Sequence, residues 1–422
     1  MPKHGIFVAR LIGLVSLLVT LYFLCRTLRL LNISKFWVHF AMLLYLFSWI
    51  YPLHHIIITE PLFLALFMVQ LWLLAKWTKT DNIIYLVFAG FMLGVLLLTR
   101  YAAMGIGISI FLWILFTSKH KIRHLIAFIF PTIILFFPWQ WLVIKSGLGL
   151  FGRTLSFHPP GKEHYKEFVV TFANWLSPGL TKWLVVPVFI VLSYIFWKNR
   201  KKIHFDRFSK LLLFILGGYF LFIILAITWA DFNTPLNNRI LAPLFIVLLI
   251  FITILLDFQY PKLAVRILGA LVIFSYTLHF IWYSLAYYRN EIDVIRIHDP
   301  HIIRLLQNSQ KKIYSNAIDI IKLDIPFYNR LFDLPDHYHP MTLRNNPNFD
   351  QQLKKIRSEV SSGQALVVYF YGFDFRKFQA QKNEILSAFN GLPIREFRYG
   401  LLIGQTKDSL NLTSEQTTDF AR

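Results

Sequence analysis

About ten apolar stretches recur along this chain, each long enough to cross roughly 30 Å of hydrocarbon at about 1.5 Å of rise per helical residue. They lie near residues 6–25, 36–56, 60–77, 83–99, 101–117, 124–144, 181–197, 209–229, 239–256 and 263–286. The expected fold is a polytopic α-helical membrane protein. Composition agrees, since 56% of the residues are hydrophobic against about 45–50% in soluble domains. Trp and Tyr crowd the ends of the apolar runs, as in Trp139-Gln140-Trp141, where amphipathic rings anchor at the headgroup level. The two runs over 83–117 are short and interrupted by Thr99-Arg100-Tyr101, which predicts a kinked or re-entrant pair. A single cysteine, Cys25, excludes any disulfide framework within the chain.

The net charge of +21 would suggest nucleic acid in a soluble chain, but its distribution argues otherwise. Residues 1–285 hold 25 Lys and Arg against seven acids, whereas the last 137 residues hold 18 against 15. The excess belongs to the membrane part, and no nucleic-acid partner is expected. Alternate loops collect it: Arg26/Arg29/Lys35, Lys76/Lys79, Lys119/Lys121/Arg123, Lys198 to Lys210, and Lys262/Arg266. By the positive-inside rule these face the cytoplasm. The outer side then holds the loop 145–180, the short loop 230–238 and everything after residue 287. Ten crossings place both termini outside, and this parity suggests one further helix upstream of Met1.

Two domains are expected: a multi-pass transmembrane domain over 1–287 and a small extracytoplasmic α/β domain over 288–422. In the latter, His301 to Gln307, Gln351 to Ser361 and Asn383 to Asn390 read as helices, the last stopped by Gly391-Leu-Pro393. Lys312 to Asn316 and Ala365 to Tyr371 read as strands, for two or three in all.

Of the seven acids in the membrane part, Asp81, Asp206 and Asp257 fall in basic inner loops and read as solvated interface charges. Glu60, Glu163, Glu167 and Asp231 remain for the outer face. Glu60 opens a long apolar helix in Thr59-Glu60-Pro61-Leu62-Phe63. A carboxylate against lipid costs roughly 2.5–3.5 kcal/mol or more on insertion scales, which marks it as a candidate site. Its plain alternative is a first-turn acid complementing the helix dipole, beside a proline where prolines are preferred. His54 and His55 just precede it, as a polar cluster or only a wet helix end. Arg100 and Arg239 each stand at a helix break on the outer side, where a guanidinium can snorkel to headgroups or hold a phosphate with paired hydrogen bonds. The loop Phe157-His158-Pro-Pro-Gly-Lys162-Glu163-His164-Tyr-Lys-Glu167 adds His158, Lys162 and Glu163 as candidate binding residues, together with Asp231. Phe168 to Leu176 could lie flat on a membrane. Asp336-His337-Tyr338-His339 could ligate a metal, but the better reading is a solvated loop. No Gly-rich phosphate loop, G-x-S-x-G or H-E-x-x-H is present, so a substrate arriving through the bilayer is expected rather than a free nucleotide.

Several strings resemble one family, the GT-C polyprenyl-phosphate-sugar glycosyltransferases, which include protein O-mannosyltransferases and aminoarabinose transferases. Thr59-Glu60-Pro61-Leu62-Phe63 resembles the family's Ser/Thr-Glu-Pro-Leu-Phe. Gly90-Phe-Met-Leu-Gly94 leading to Thr99-Arg100 resembles its Gly-x-x-x-Gly stretch ending in Thr-Arg or Thr-Lys. Asn238-Arg239-Ile-Leu-Ala-Pro243-Leu244 resembles its Arg-Tyr-Leu-x-Pro-Leu element, and Ile313-Tyr-Ser-Asn316 a strand of its external domains. The resemblance implies inverting transfer from a polyprenyl-phosphate sugar donor to a protein, lipid or glycan acceptor on the extracytoplasmic face of the cell membrane. It implies that Glu60 organises the site near donor phosphate or metal, and that Arg100 and Arg239 stabilise the leaving phosphate; His55, His158, Lys162, Glu163 and Asp231 are the further candidate substrate-binding residues on the outer face. No metal ligand set is assigned, although a divalent cation is left open. The family's catalytic Asp follows a first transmembrane helix, and this chain starts with what resembles the second. The general base is therefore expected upstream of Met1. A catalytically incomplete homologue acting as a scaffold, or a transporter, are the alternatives.

Overall fold

The computed structural model describes all residues except 1, 55–58, 147–155, 177–205, 260–268, 271, 283, 286–304, 308, 319–320, 322–328, 339–344, 372–380, 398–399 and 405–422. It divides into two compact units, Lys3–Ser284 and Leu285–Arg422.

The first unit is a helical bundle: α1 (Pro2–Leu30), α2 (Lys35–Phe47), α3 (Glu60–Thr80), α4 (Ile83–Thr99), α5 (Ala103–Thr117), α6 (Lys121–Lys145), α7 (Lys162–Leu176), α8 (Arg207–Trp229), α9 (Asn238–Gln259) and α10 (Val272–Trp282). Five of the described helices are long and apolar enough to cross a membrane, within α1, α3, α6, α8 and α9, while α2, α4, α5 and α10 are shorter apolar helices. The chain is a multi-pass membrane protein. The window expected as one helix over 36–56 ends at Phe47 and continues as a single 3-10 turn, Tyr51–His54. Ser48 there takes the place of the next turn by bonding its own hydroxyl to Tyr45 O (2.8 Å). The window at 181–197 lies outside the described residues.

Polar residues at the ends of the apolar runs start and stop these helices. Asn82 Oδ1 accepts from Ile84 N (3.0 Å), Asp206 Oδ1 from Ser209 N (2.8 Å) and Asn237 Oδ1 from Arg239 N (3.0 Å), capping α4, α8 and α9. Asp81 closes α3 in the left-handed region at φ 52°. The break at Thr99–Ala102 is not a kink within one continuous helix. Trp113, near the far end of α5, meets Trp77 at the far end of α3 with ring centroids 5.3 Å apart, so α4 and α5 form a hairpin with Arg100 at its turn.

α3 is the central helix, buried along most of its length, whereas α6 turns Phe130, Phe137, Trp141 and Leu142 outward as a lipid-facing surface. Gly90 and Gly94 set α4 against α6. A Cβ at Gly90 would overlap the carbonyl oxygen of Phe128 and lie 2.9 Å from its carbonyl carbon, and one at Gly94 would sit 2.9 Å from Leu135 Cβ. Thr132 Oγ1 donates across the same seam to Gly90 O (2.8 Å). The Gly-x-x-x-Gly string is thus a helix-packing surface, since lipid gives apolar helices no reason to associate beyond close contact.

The second unit carries a five-stranded sheet in the order β2-β1-β3-β5-β4, from β1 (Lys312–Ser315), β2 (Leu331–Asp333), β3 (Ala365–Phe370), β4 (Ile394–Phe397) and β5 (Gly400–Ile403). β1 pairs in parallel with β2 and β3, and β5 runs antiparallel between β3 and β4. Every residue of β3 is buried, as its unbroken apolar run requires. Helices α11 (Phe349–Ser361) and α12 (Lys382–Ala388) flank it, and Gly391 at φ 84° follows α12 as its stop. Five strands replace the two or three expected. β2 has only three residues and β4 is mostly exposed, too little periodicity to register in sequence.

Glu359 on α11 accepts from Lys312 Nζ (3.0 Å) and Tyr314 Oη (2.9 Å) on β1. Burial raises its pKa, but the two hydrogen bonds and the Lys312 and Lys355 charges outweigh this and hold it below the ordinary carboxylate value. Burial and the adjoining carboxylate push Tyr314 up to about 12. A depressed folded-state pKa stabilises above the unfolded value, near 4.3, and the contribution is lost as pH falls through the folded value. Thermal denaturation of the full chain should therefore show an acid-side loss below about pH 4.3 that is smaller in Glu359→Gln. An identical pH profile for the variant would contradict the assignment.

Candidate functional site

Three residues far apart in sequence meet at one end of the bundle. Glu60 enters through the first turn of α3, fixed by Pro61 behind it. Arg100 stands at the α4–α5 turn with an extended backbone (φ −153°, ψ 132°), which stops α4 and turns its side chain back to the bundle. Arg239 is positioned by the Asn237 cap at the start of α9. Arg100 Nη1 lies 2.6 Å from Glu60 Oε1, and Arg239 reaches the same oxygen with Nε (2.9 Å) and Nη2 (2.8 Å). Glu60 is only 2% exposed, Arg100 16% and Arg239 51%. The Arg100 guanidinium also stands 6.0 Å from the Phe63 ring centre, one helical turn below Glu60.

Two guanidiniums and one carboxylate leave one net positive charge (2 − 1). Glu60 Oε2 is buried with no hydrogen-bond partner among the described residues. A buried carboxylate with an unmet oxygen is costly, and here the two arginines offset most of that cost through charge-assisted bonds. The cluster is thus a carboxylate holding two arginines at a bundle end, with Arg239 half open to solvent. Such an arrangement suits an anion. It suits a cation poorly, because the described donors amount to one carboxylate between two positive groups. Among the described residues no three or more His, Cys, Asp and Glu side chains gather as a metal site.

The other candidates form a second group beside it. The segment 156–161 returns to the end of α8, with Ser156 N donating to Trp229 O and His158 N to Thr228 O (both 2.9 Å). His158 is 6% exposed, packs edge-on against Phe232, and neither ring nitrogen has a partner among the described residues. Asp231 Oδ1 accepts from Asn233 N (3.2 Å) in the same turn. Lys162 and Glu163 open α7 and are exposed. His55 lies outside the described residues. Its neighbour His54 is buried between Tyr45 Oη (2.9 Å) and Gly13 O (3.3 Å), a core histidine.

α7 does more than rest on a surface. At helical spacing along one face, His164 Nε2 pairs with Phe232 O (2.7 Å), Glu167 Oε2 accepts from Leu236 N (3.0 Å), Thr171 Oγ1 donates to Leu236 O (3.1 Å) and Trp175 Nε1 donates to Asn238 Oδ1 (2.8 Å). The sequence reading passed over His164, Thr171 and Trp175. With Glu167 they recur at i, i+3, i+7 and i+11, which was the available signal, but the partner strip, residues 232–238, shows no periodicity of its own. This face holds the strip that leads directly into Arg239. His337 of the external-domain pattern is engaged by Glu384 (3.0 Å) and stacked on Phe349 (3.8 Å), and His339 lies outside the described residues.

No protein-family model and no curated protein sequence matches the chain. Among solved structures, the crystal structure of ArnT from Cupriavidus metallidurans bound to undecaprenyl phosphate superposes with a TM-score of 0.56 at 11% identity, covering 94% of this chain and 83% of that one. This protein has a GT-C-like fold. In the GT-C-like bundle the Glu60, Arg100 and Arg239 cluster caps one end, and the Asp81–Arg207 ion pair marks the opposite end.

Proposed function

We propose that this protein is a membrane glycosyltransferase that moves a sugar from a polyprenyl-phosphate carrier to a protein, lipid or glycan acceptor on the extracytoplasmic face, with inversion at the anomeric carbon. The observation that carries the reading is the buried Glu60 carboxylate clamped by Arg100 and Arg239 with one net positive charge. The acceptor hydroxyl attacks the anomeric carbon opposite the carrier phosphate, its proton passing to the general base that the resemblance places upstream of Met1, and the bond from that carbon to the phosphate oxygen breaks. The electron pair leaves on the phosphate, where the arginine pair neutralises it. Charge that develops during the reaction is best met by groups already oriented for it, and Glu60 supplies that orientation. His158, Asp231, Lys162 and Glu163 line the neighbouring turn and are assigned to substrate, His158 because its buried ring nitrogens need partners. The bound undecaprenyl phosphate of the fold neighbour supports a carrier of this class.

A scaffold without transfer is the second reading. Its support is that Arg100 and Arg239 both already bond Glu60, as in a purely structural ion-pair cluster. The two part on one experiment: membranes holding the protein are given metabolically labelled lipid-linked sugars of the host, and loss of label from the lipid fraction is followed. Protein-dependent loss that falls about 100-fold in Arg239→Ala supports transfer. No protein-dependent loss in the unsubstituted protein would leave the scaffold.

A further inference from the structure

At the end of the bundle opposite Glu60, a cavity of about 840 Å³ opens between the start of α4, the end of α5 and the starts of α6 and α8. Its lining is strongly basic. Lys119, Arg123, Arg207 and Lys210 carry four positive charges against the single carboxylate of Asp81, and His120 and His124 stand among them. Arg207 is fixed by its ion pair with Asp81 and by the Trp77 ring, 5.4 Å away. His124 is held by Ser118 Oγ (2.6 Å) and by the edge of Trp77. Lys119, Arg123 and Lys210 are exposed.

Basic residues in such loops follow from topology alone, but their convergence on one cavity from two segments far apart in sequence, 119–123 and 207–210, does not. Trp113 lines the cavity, is fully buried, and its indole N–H has no acceptor among the described residues. Beside the cavity, Phe116, Ile122 and Ile126 present exposed apolar side chains, a surface suited to acyl chains next to a charged head. The volume also exceeds what a bare phosphate ion would fill.

We infer that this cavity is a binding site for the phosphodiester headgroup of an anionic phospholipid, separate from the Glu60 cluster. Positive side chains would neutralise the phosphate, the Trp113 indole would wall the cavity beneath it, and the apolar flank would take the chains. Basic pockets between transmembrane helices bind such heads by the same physics.

The test uses the delipidated full chain in detergent, titrated by native mass spectrometry with phosphatidylglycerol, phosphatidylcholine and inorganic phosphate. Saturable phosphatidylglycerol binding is expected, at least about tenfold tighter than phosphatidylcholine, from roughly 1 kcal/mol per basic residue near the lipid. The triple variant Lys119→Gln/Arg123→Gln/Lys210→Gln should lose that preference. Arg26→Gln/Arg29→Gln, exposed basic residues outside the cavity, should keep it. Equal affinity for the two lipids, or an unchanged preference in the triple variant, would overturn the inference. So would displacement of the lipid by equimolar inorganic phosphate, which would make this a site for soluble anions. A triple variant with a lowered melting temperature is replaced by Lys119→Gln/Lys210→Gln, for which about two-thirds of the free-energy loss is expected and no loss would contradict the site.

Discussion

Exchange of Glu60 for Gln is expected to lower sugar transfer by about 100-fold or more while leaving carrier binding within a few-fold of its original strength. The carboxylate meets Arg100 and Arg239 at 2.6 to 2.9 Å on one oxygen, so it aligns both guanidiniums without itself being needed to attract a phosphate. Gln keeps the volume and one acceptor but loses the charge that aligns them. Removing it also removes the one negative group in the described cluster, so affinity for an anion is maintained while its placement is lost. The arginine variants should lose carrier binding as well as transfer. Arg239→Ala, with its half-exposed guanidinium, should weaken carrier binding about tenfold with modest effect on folding, since exposed pairs contribute little. Arg100→Ala should in addition lower the melting temperature, because breaking a buried pair costs about 3–5 kcal/mol. A Glu60→Gln protein with normal turnover would remove Glu60 from the site.

The second large effect is on folding. Gly90→Leu should abolish recovery of a monodisperse, folded protein, and Gly90→Ala should destabilise by about 3 kcal/mol, the upper end of ordinary overpacking. At this position even a methyl group meets the Phe128 backbone, which cannot swing aside as a side chain can, and separating α4 from α6 would also break the Thr132 bond to Gly90. Gly217 on α8 is the control: an added Cβ would meet nothing within 4 Å, so Gly217→Ala should be neutral or slightly stabilising through helix propensity. Size-exclusion profiles and thermal melts of the three variants in detergent decide this. Equal stability of Gly90→Ala and Gly217→Ala would contradict the close packing.

The candidate cluster was legible in the sequence because burial in lipid makes charge conspicuous. Glu60, Arg100 and Arg239 stood out as charges at breaks between apolar runs, and alternation of crossings placed all three on one side. That they share one carboxylate oxygen was not legible, since it depends on the α4–α5 hairpin closing and on α9 lying beside α3. The basic cavity was not legible: topology alone accounts for Lys119, Arg123 and Lys210 in inner loops, and their convergence exists only in the folded bundle. Trp113, a core aromatic by pattern, shows its unmet N–H only in three dimensions. In the second unit, β3 announced itself through six consecutive buried residues, while β2 and β4 are too short or too exposed to carry a period. The docking face of α7 was half visible, in its helical spacing, but its partner strip owes its order to hydrogen bonds from α7 and has no pattern of its own.

The central claim, that the arginine pair held by Glu60 receives a polyprenyl phosphate, is tested most directly by titrating the purified chain with undecaprenyl phosphate and following bound lipid by native mass spectrometry. The account predicts a saturable site that persists in Lys119→Gln/Arg123→Gln/Lys210→Gln, where the basic cavity at the opposite end no longer competes for the lipid, and that is weakened about tenfold by Arg239→Ala and more by Arg100→Ala/Arg239→Ala. Undecaprenyl phosphate bound equally well by the unsubstituted protein and the double arginine variant would contradict it.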